Sequence, residues 1–312
     1  MNMESAGCGR KLSYSVLEEA LTELSSLPDF GADAGLIAGG EGYVMSIDTS
    51  RKIGADLTVF GELAIMHALG DIHASQAVGT NCAVSIGLCD GTVEELGSIM
   101  EGALFACHKE GMDIAKGHTT TGEQEQTVTC AIVGARMGSY PAARGGFVYL
   151  TKPMGASRLL KIATVHGRTD LVAHALQVMR YSHRGLVASL AREQVIASDV
   201  SGFGLAGALI GLSRRYSFSY ILSSNIPRID HDYAKVDIIC EYQRNASDFA
   251  RYITPIVEYE MLSIYGQEFC GPLVLIASEE AAERISLECG IELFRIGYTA
   301  EGFDPINLIR IE

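Results

Sequence analysis

No stretch of this sequence approaches the ~20 consecutive apolar residues of a membrane span. Its first twenty residues hold Glu4, Arg10, Lys11, Glu18 and Glu19 and lack the apolar core of a secretory signal. A cytoplasmic location with no membrane association is therefore expected. None of the eight cysteines, at 8, 82, 89, 107, 130, 240, 270 and 289, belongs to a C-x-x-C pair, which argues against structural zinc. They read as reduced thiols, most of them small core residues. No G-x-x-x-x-G-K-[ST] loop and no G-x-S-x-G elbow occurs, which disfavours P-loop nucleotide binding and serine hydrolysis. No repeat of 20–50 residues is present. Cations are outnumbered, 24 Lys and Arg against 38 Asp and Glu, for a net charge of −14. That disfavours tight binding to nucleic acids and anionic membranes, which need clustered positive charge. It does not exclude an anionic nucleotide, because a divalent metal can bridge carboxylates to phosphates.

At 312 residues, 48% hydrophobic and 20% charged, the chain has a globular balance and room for roughly two domains, at ~100–200 residues each. An apolar rhythm at Leu12, Val16, Leu17, Ala20, Leu21 and Leu24 predicts a helix over 12–27, capped by Ser13 and ended by Pro28. Strands are expected at 43–47, 82–88, 127–133, 147–151, 196–198, 272–277 and 292–298. Helices are expected at 57–72, 93–110, 156–162, 169–180, 184–194, 205–215 and 279–288. The turn-rich run 138–146 marks a domain boundary. Mixed elements in both halves predict an α+β fold, with domains over 12–140 and 146–312.

The run Gly7-Cys8-Gly9-Arg10-Lys11 sets a cysteine between flexible glycines, with two cations following that favour its thiolate. Residues 1–11 thus read either as a frayed terminus or as a mobile catalytic arm. Four aspartates stand among small or apolar neighbours: Asp33, Asp48, Asp71 and Asp199. Each alone is as readily a cap or turn residue. Three or four of them converging would make an oxygen-ligand site suited to magnesium. His67, one helical turn before Asp71, reads as a satisfied helix histidine rather than a metal ligand. Gly202 and Gly204 precede a helix and can turn backbone N–H groups toward phosphate. The run Gly117-His118-Thr119-Thr120-Thr121-Gly122 reads as a polar loop, either a surface turn or a phosphate contact.

Taken in order, Ala6-Gly7-Cys8-Gly9-Arg10-Lys11, Asp33-Ala34, Asp48 and Ala68-Leu69-Gly70-Asp71-Ile72 resemble selenophosphate synthetase (selenide, water dikinase). So do Gly117-His118, Thr151-Lys152-Pro153-Met154-Gly155, Asp199-Val200-Ser201-Gly202-Phe203-Gly204, Arg244-Asn245 and Gln267. The wider superfamily includes aminoimidazole ribonucleotide synthetase, thiamine-monophosphate kinase and a hydrogenase-maturation protein. The resemblance implies a two-domain aminoimidazole ribonucleotide synthetase-like fold whose N-terminal domain contributes to a β-barrel in a homodimer. It implies Mg2+ and ATP in the cleft under the arm, with Cys8 and Lys11 catalytic and Asp33, Asp71 and Asp199 holding metal. Nucleotide-binding positions fall at Lys11, Asp48, His67, Asp71, Gly117, His118 and Thr119. The implied reaction converts ATP, selenide and water into selenophosphate, AMP and phosphate. The chain departs from the family pattern at Arg10 (usually Cys), Ala32 (usually Asp) and His67 (usually Asn). It also departs at Thr119-Thr120-Thr121 (usually Ser-Ile-Asp) and Glu268-Phe269-Cys270 (usually Thr-Ser-Gly). The family's His before the arm is absent. Two further readings follow: an ADP-producing phosphotransferase of the same superfamily, or, from the carboxylate missing at Ala32, a non-catalytic nucleotide-binding dimer.

Overall fold

A computed structural model describes residues 11–22, 32–40, 42–230, 232, 242–254, 258–300, 302, 304 and 308–312. The first half is built on β1 (Gly35–Leu36), β2 (Tyr43–Arg51), β3 (Ala77–Leu88), β4 (Asp113–Thr121) and β5 (Thr127–Arg136), with α1 (Tyr14–Thr22), α2 (Leu57–Ala74) and α3 (Val93–Lys109). The strands form one sheet in the order β1-β2-β5-β3-β4. All pairings are antiparallel except β3 with β4. Alternation sets its two faces. Val128, Cys130 and Ile132 of β5 are buried under α2, whereas Tyr43, Met45 and Ile47 of β2 are exposed on the other side. α2 is apolar nearly all round, as a helix enclosed by other elements must be. Asp56 caps it by accepting the N–H groups of Thr58 and Val59. Glycines let α2 and α3 cross backbone to backbone. A Cβ at Gly102 would sit 1.8 Å from Thr58 O, and one at Gly61 2.0 Å from Ile99 O.

The second half carries β6 (Phe147–Leu150), β7 (Ile196–Asp199), β8 (Tyr220–Leu222), β9 (Leu273–Ala277), β10 (Phe294–Thr299) and β11 (Ile309–Ile311), ordered β11-β8-β10-β6-β9-β7. Its helices are α4 (Ala156–His166), α5 (Thr169–Met179), α6 (Val187–Arg192), α7 (Gly204–Tyr216), α8 (Gln243–Phe249), α9 (Glu258–Tyr265) and α10 (Glu279–Cys289). All five residues of β9 are buried. Val274 and Ile276 pack toward α7, while Leu273 and Leu275 pack toward α6 and α10. α4 and α5 pack instead with the first half, through Leu159, Ile162, Leu176 and Met179. The architecture is α+β with two sheets, as expected.

Two local expectations need correction. Residues 117–121 are not a loop but the end of β4, held by pairing with β3 from Val84↔Gly117 to Leu88↔Thr121. Ser13 does not cap α1 by itself: its hydroxyl donates to Asp248 Oδ1, and Asp248 Oδ2 accepts the Tyr14 N–H, so α8 supplies the cap. The short strands β1, β8 and β11 and the helices α8 and α9 leave too weak a periodic signal to be read from sequence. The expected helix extends past Thr22 into residues outside the described ones, as do Gly7, Cys8, Gly9 and Arg10.

Candidate active site

An open cleft of about 400 Å³ lies between the two sheets, bordered by Lys11, Asp33, Asp48, Asp71, Asp199 and Ser201. Each carboxylate arrives from a different element. Asp33 stands just before β1. Asp48 is on the inward face of β2, and Asp71 is in the last turns of α2, which covers that face. Asp199 is the final residue of β7. The glycine-rich turn after β7 is fixed by Asn245, whose buried amide donates to Gly202 O (3.1 Å) and Tyr265 O (2.8 Å). Gly204 has φ +66°, and a Cβ there would stand 2.7 Å from Gly266 O, so this turn needs glycine.

Asp33, Asp71 and Asp199 each turn one carboxylate oxygen into a common space, the three atoms lying within 4.8 Å of one another. Ser198 Oγ (2.8 Å) and the Asp199 N–H (3.2 Å) donate to Asp33, and Ser46 Oγ donates to Asp71. Burial, and then repulsion from Asp199, push the Asp33 carboxyl up to about 8. Burial, then the charges of Asp199, Asp48 and Asp33, raise Asp71 well above the usual range. Three carboxylate oxygens gathered this closely could hold a cation, and the hard oxygen donor set fits magnesium. Lys11 faces the carboxylates across the cleft. Its Nζ lies 3.4 Å from Ser201 Oγ, 3.9 Å from Asp48 Oδ1 and 5.5 Å from the Phe203 ring centre.

The remaining residues named from sequence lie elsewhere. His67 is buried in α2, its ring 4.5 Å from that of Phe269, and its Nδ1 accepts the Cys270 N–H at 3.3 Å. Burial lowers its affinity for a proton. Gly117, His118 and Thr119 are exposed on β4, the sheet edge three strands from β2, and do not border this cleft. Ser46, Ser198, Ser201 and Phe203 were not singled out as individual site residues from sequence. The period-two spacing of Ser46 and Asp48 on β2 is the signal that would have found the first.

Residues 31–136 match the family described as AIR synthase related protein, N-terminal domain. The chain is 26% identical to the selenide, water dikinase of Colwellia psychrerythraea, over 96% of this chain and 95% of that one. It superposes on the thiamine monophosphate kinase of Aquifex aeolicus with a TM-score of 0.71 at 15% identity, covering 96% and 95% of the two chains. It also superposes on hydrogenase maturation protein HypE in complex with ATP, with a TM-score of 0.60 at 17% identity, covering 94% and 88%. Residues 31–136 thus resemble the AIR synthase related N-terminal domain, and the chain is similar over nearly its whole length to a protein named selenide, water dikinase.

Proposed function

We propose that this protein is a magnesium-dependent, ATP-using enzyme that makes selenophosphate from selenide, releasing AMP and phosphate. The observation that carries the reading is the meeting of Asp33, Asp71 and Asp199 at one point, with Lys11 on the open side of the same cleft. It is supported by the name borne by the curated relatives and by the ATP held in one chain of the same fold. Asp33, Asp71 and Asp199 would hold the metal, with Ser46 and Ser198 fixing two of the carboxylates. Bound there, magnesium supplies neutralisation of the phosphate oxygens. Lys11 adds a positive charge at the transferring phosphoryl group, and Asp48 holds that ammonium in the cleft. Cys8, three residues before Lys11, is assigned to handle selenium. The exposed Leu36, Tyr43, Met45 and Ile47 suit a homodimer that covers this face of the first sheet. Gly117, His118 and Thr119 would then meet nucleotide only across that interface.

Phosphorus NMR of the purified protein with Mg2+ and ATP, with and without selenide under reducing anaerobic conditions, tests this reading. AMP that depends on selenide, together with a new phosphorus–selenium signal, is expected, and Cys8→Ser and Lys11→Ala should lose both. ADP as the sole nucleotide product would replace the reading with phosphorylation of another acceptor. Intact ATP despite measurable binding would leave a non-catalytic nucleotide-binding protein.

A further inference from the structure

α1, the helix that follows Lys11, is seated by another helix far along the chain. It has nine residues, too few to persist in water without support. Its apolar grip is slight: Leu12, just before it, and Val16 are exposed, whereas Tyr14 is buried. No acidic residue stands in its first turn to meet the positive end of its dipole. Asp248 of α8 supplies that charge. Its Oδ1 accepts the hydroxyls of Ser13 (2.9 Å) and Ser15 (3.0 Å), and its Oδ2 accepts the Tyr14 N–H (2.8 Å). One buried carboxylate thus ties down three consecutive residues. Asp248 does nothing comparable for its own helix, since it lies in the last turn of α8, where an anion opposes the dipole.

Tyr14 carries this seat to the cleft. Its ring stands edge-on to Phe203, with centres 5.4 Å apart, and 4.9 Å from the ring of Phe249, the residue after Asp248. Arg214 of α7 donates to the Tyr14 hydroxyl at 2.5 Å and pairs with Glu18 one turn further on. The Lys11 Nζ lies over the same Phe203 ring that Tyr14 touches. Its contacts with Ser201 Oγ and Asp48 Oδ1, at 3.4 and 3.9 Å, are long, and a lysine stem is flexible. The placement of the ammonium therefore depends on where the backbone at Ser13, Tyr14 and Ser15 is anchored.

We propose that Asp248 is a positioning residue: by capping α1 from α8 it holds Lys11 over the cleft, and with it the positive charge aimed at the transferring phosphoryl group. The role in turnover rests on the function proposed above for Lys11; the seating of α1 does not. Asp248 touches neither nucleotide nor metal in this account and acts only through the backbone of Ser13, Tyr14 and Ser15.

Asp248→Ala, Asp248→Asn and the double variant Ser13→Ala/Ser15→Ala, each in the full chain, separate seating from chemistry. Asn offers an oxygen to the Tyr14 N–H and an amide to the serine hydroxyls, so it should rescue what Ala loses. Amide exchange read by mass spectrometry reports the seat, with α7 as the internal reference. Asp248→Ala should speed exchange across α1 by about tenfold, and the double serine variant by about threefold, while α7 keeps its wild-type rate. With Mg2+, ATP and selenide, Asp248→Ala should lower kcat by about tenfold and leave the KM for ATP within about twofold, because Lys11 acts in the transition state. Unchanged α1 exchange in both Asp248→Ala and the serine variant overturns the seat. Faster α1 exchange with unchanged kcat, or a rise in KM alone, overturns the positioning role. If Asp248→Ala does not fold, the serine variant, which leaves α8 intact, decides by the same two readouts. A wild type that turns over no ATP refutes the proposed function, while the exchange rates still decide whether Asp248 seats α1, so the two failures are told apart.

Discussion

Removing one charge from the carboxylate set should make the metal-free protein more stable. Asn at position 33 keeps an oxygen for the Ser198 hydroxyl and the Asp199 N–H, and turns an amide toward Asp199 in place of a competing anion. In the unfolded chain Asp33 ionises near 3.8, whereas in the fold it does so at about 8. A carboxyl whose folded value is raised stabilises the fold below pH 4, and that contribution is lost progressively as pH climbs to about 8. At pH 7 the loss approaches about 4 kcal/mol, at 1.36 kcal/mol per pH unit. With an unfolding entropy of about 2.1 cal/mol/K per residue, this corresponds to a melting shift of about 6 °C for a chain of this length. Thermal unfolding of wild type and Asp33→Asn in EDTA, from pH 4.5 to 8, reads this directly. The variant should melt higher at pH 7.5, and the gap should close toward pH 4.5. Magnesium should narrow the gap, because only the wild type has all three ligands and binding adds RT ln(1 + [L]/Kd), about 2.7 kcal/mol at a hundredfold excess over Kd. A variant less stable than wild type at pH 7.5 in EDTA, or a gap that ignores pH, would refute the reasoning.

Three further substitutions test how the site is supported. Asp230→Ala removes the partner of two buried guanidinium groups, Arg158 (3.0 Å) and Arg228 (2.7 Å), and should cost about 3–5 kcal/mol in urea unfolding. Gly204→Ala forces a side chain into φ +66° and against Gly266 O, and should cost about 1–3 kcal/mol while weakening nucleotide binding measured by calorimetry. Asn245→Ala leaves the carbonyls of Gly202 and Tyr265 without that donor and should cost about 2 kcal/mol, with the turn carrying Ser201 and Phe203 gaining faster amide exchange.

Much of the architecture is readable from period and punctuation. α2, α3, β5, β9 and α10 have long or strongly patterned segments, and their ends lie within a few residues of where the sequence puts them. The strand at 117–121 is not readable, because a polar edge strand that leaves every side chain from Lys116 to Thr121 exposed has the composition of a loop. Its strand character comes from β3 alone, through a parallel ladder between residues more than thirty positions apart. The cap on α1 escapes for the same reason, since Asp248 lies 234 residues from the N–H it accepts. Within the site, each aspartate is visible as an odd carboxylate in an apolar setting, but no local pattern says that three of them meet. That depends on α2 crossing the inward face of β2 and on β7 ending beside both. The resemblance to a family gathered these residues in the sequence, and the geometry now places their oxygens within 4.8 Å.

The fold also says where the departures from the family pattern fall. His67 and the segment Glu268-Phe269-Cys270 are two hundred residues apart in sequence, yet they touch: Phe269 packs on the His67 ring and the Cys270 N–H donates to it. Cys270 stands at φ +54°, where a glycine would be unstrained, and its thiol donates to Leu63 O at 3.2 Å. Glu268 accepts the Gly155 N–H at 2.6 Å, tying this segment to the loop that follows Lys152. Apart from Ala32 at the cleft and Arg10 outside the described residues, these changes gather around the contact between His67 and the 268–270 segment or lie on the exposed β4 edge. The three converging aspartates and Lys11 keep the residue types of the pattern. The residues that keep the family pattern thus line the open cleft, and most of the departures lie behind it or at the sheet edge. The left-handed backbone at Cys270, a conformation uncommon for a residue with a side chain, falls within this rebuilt segment.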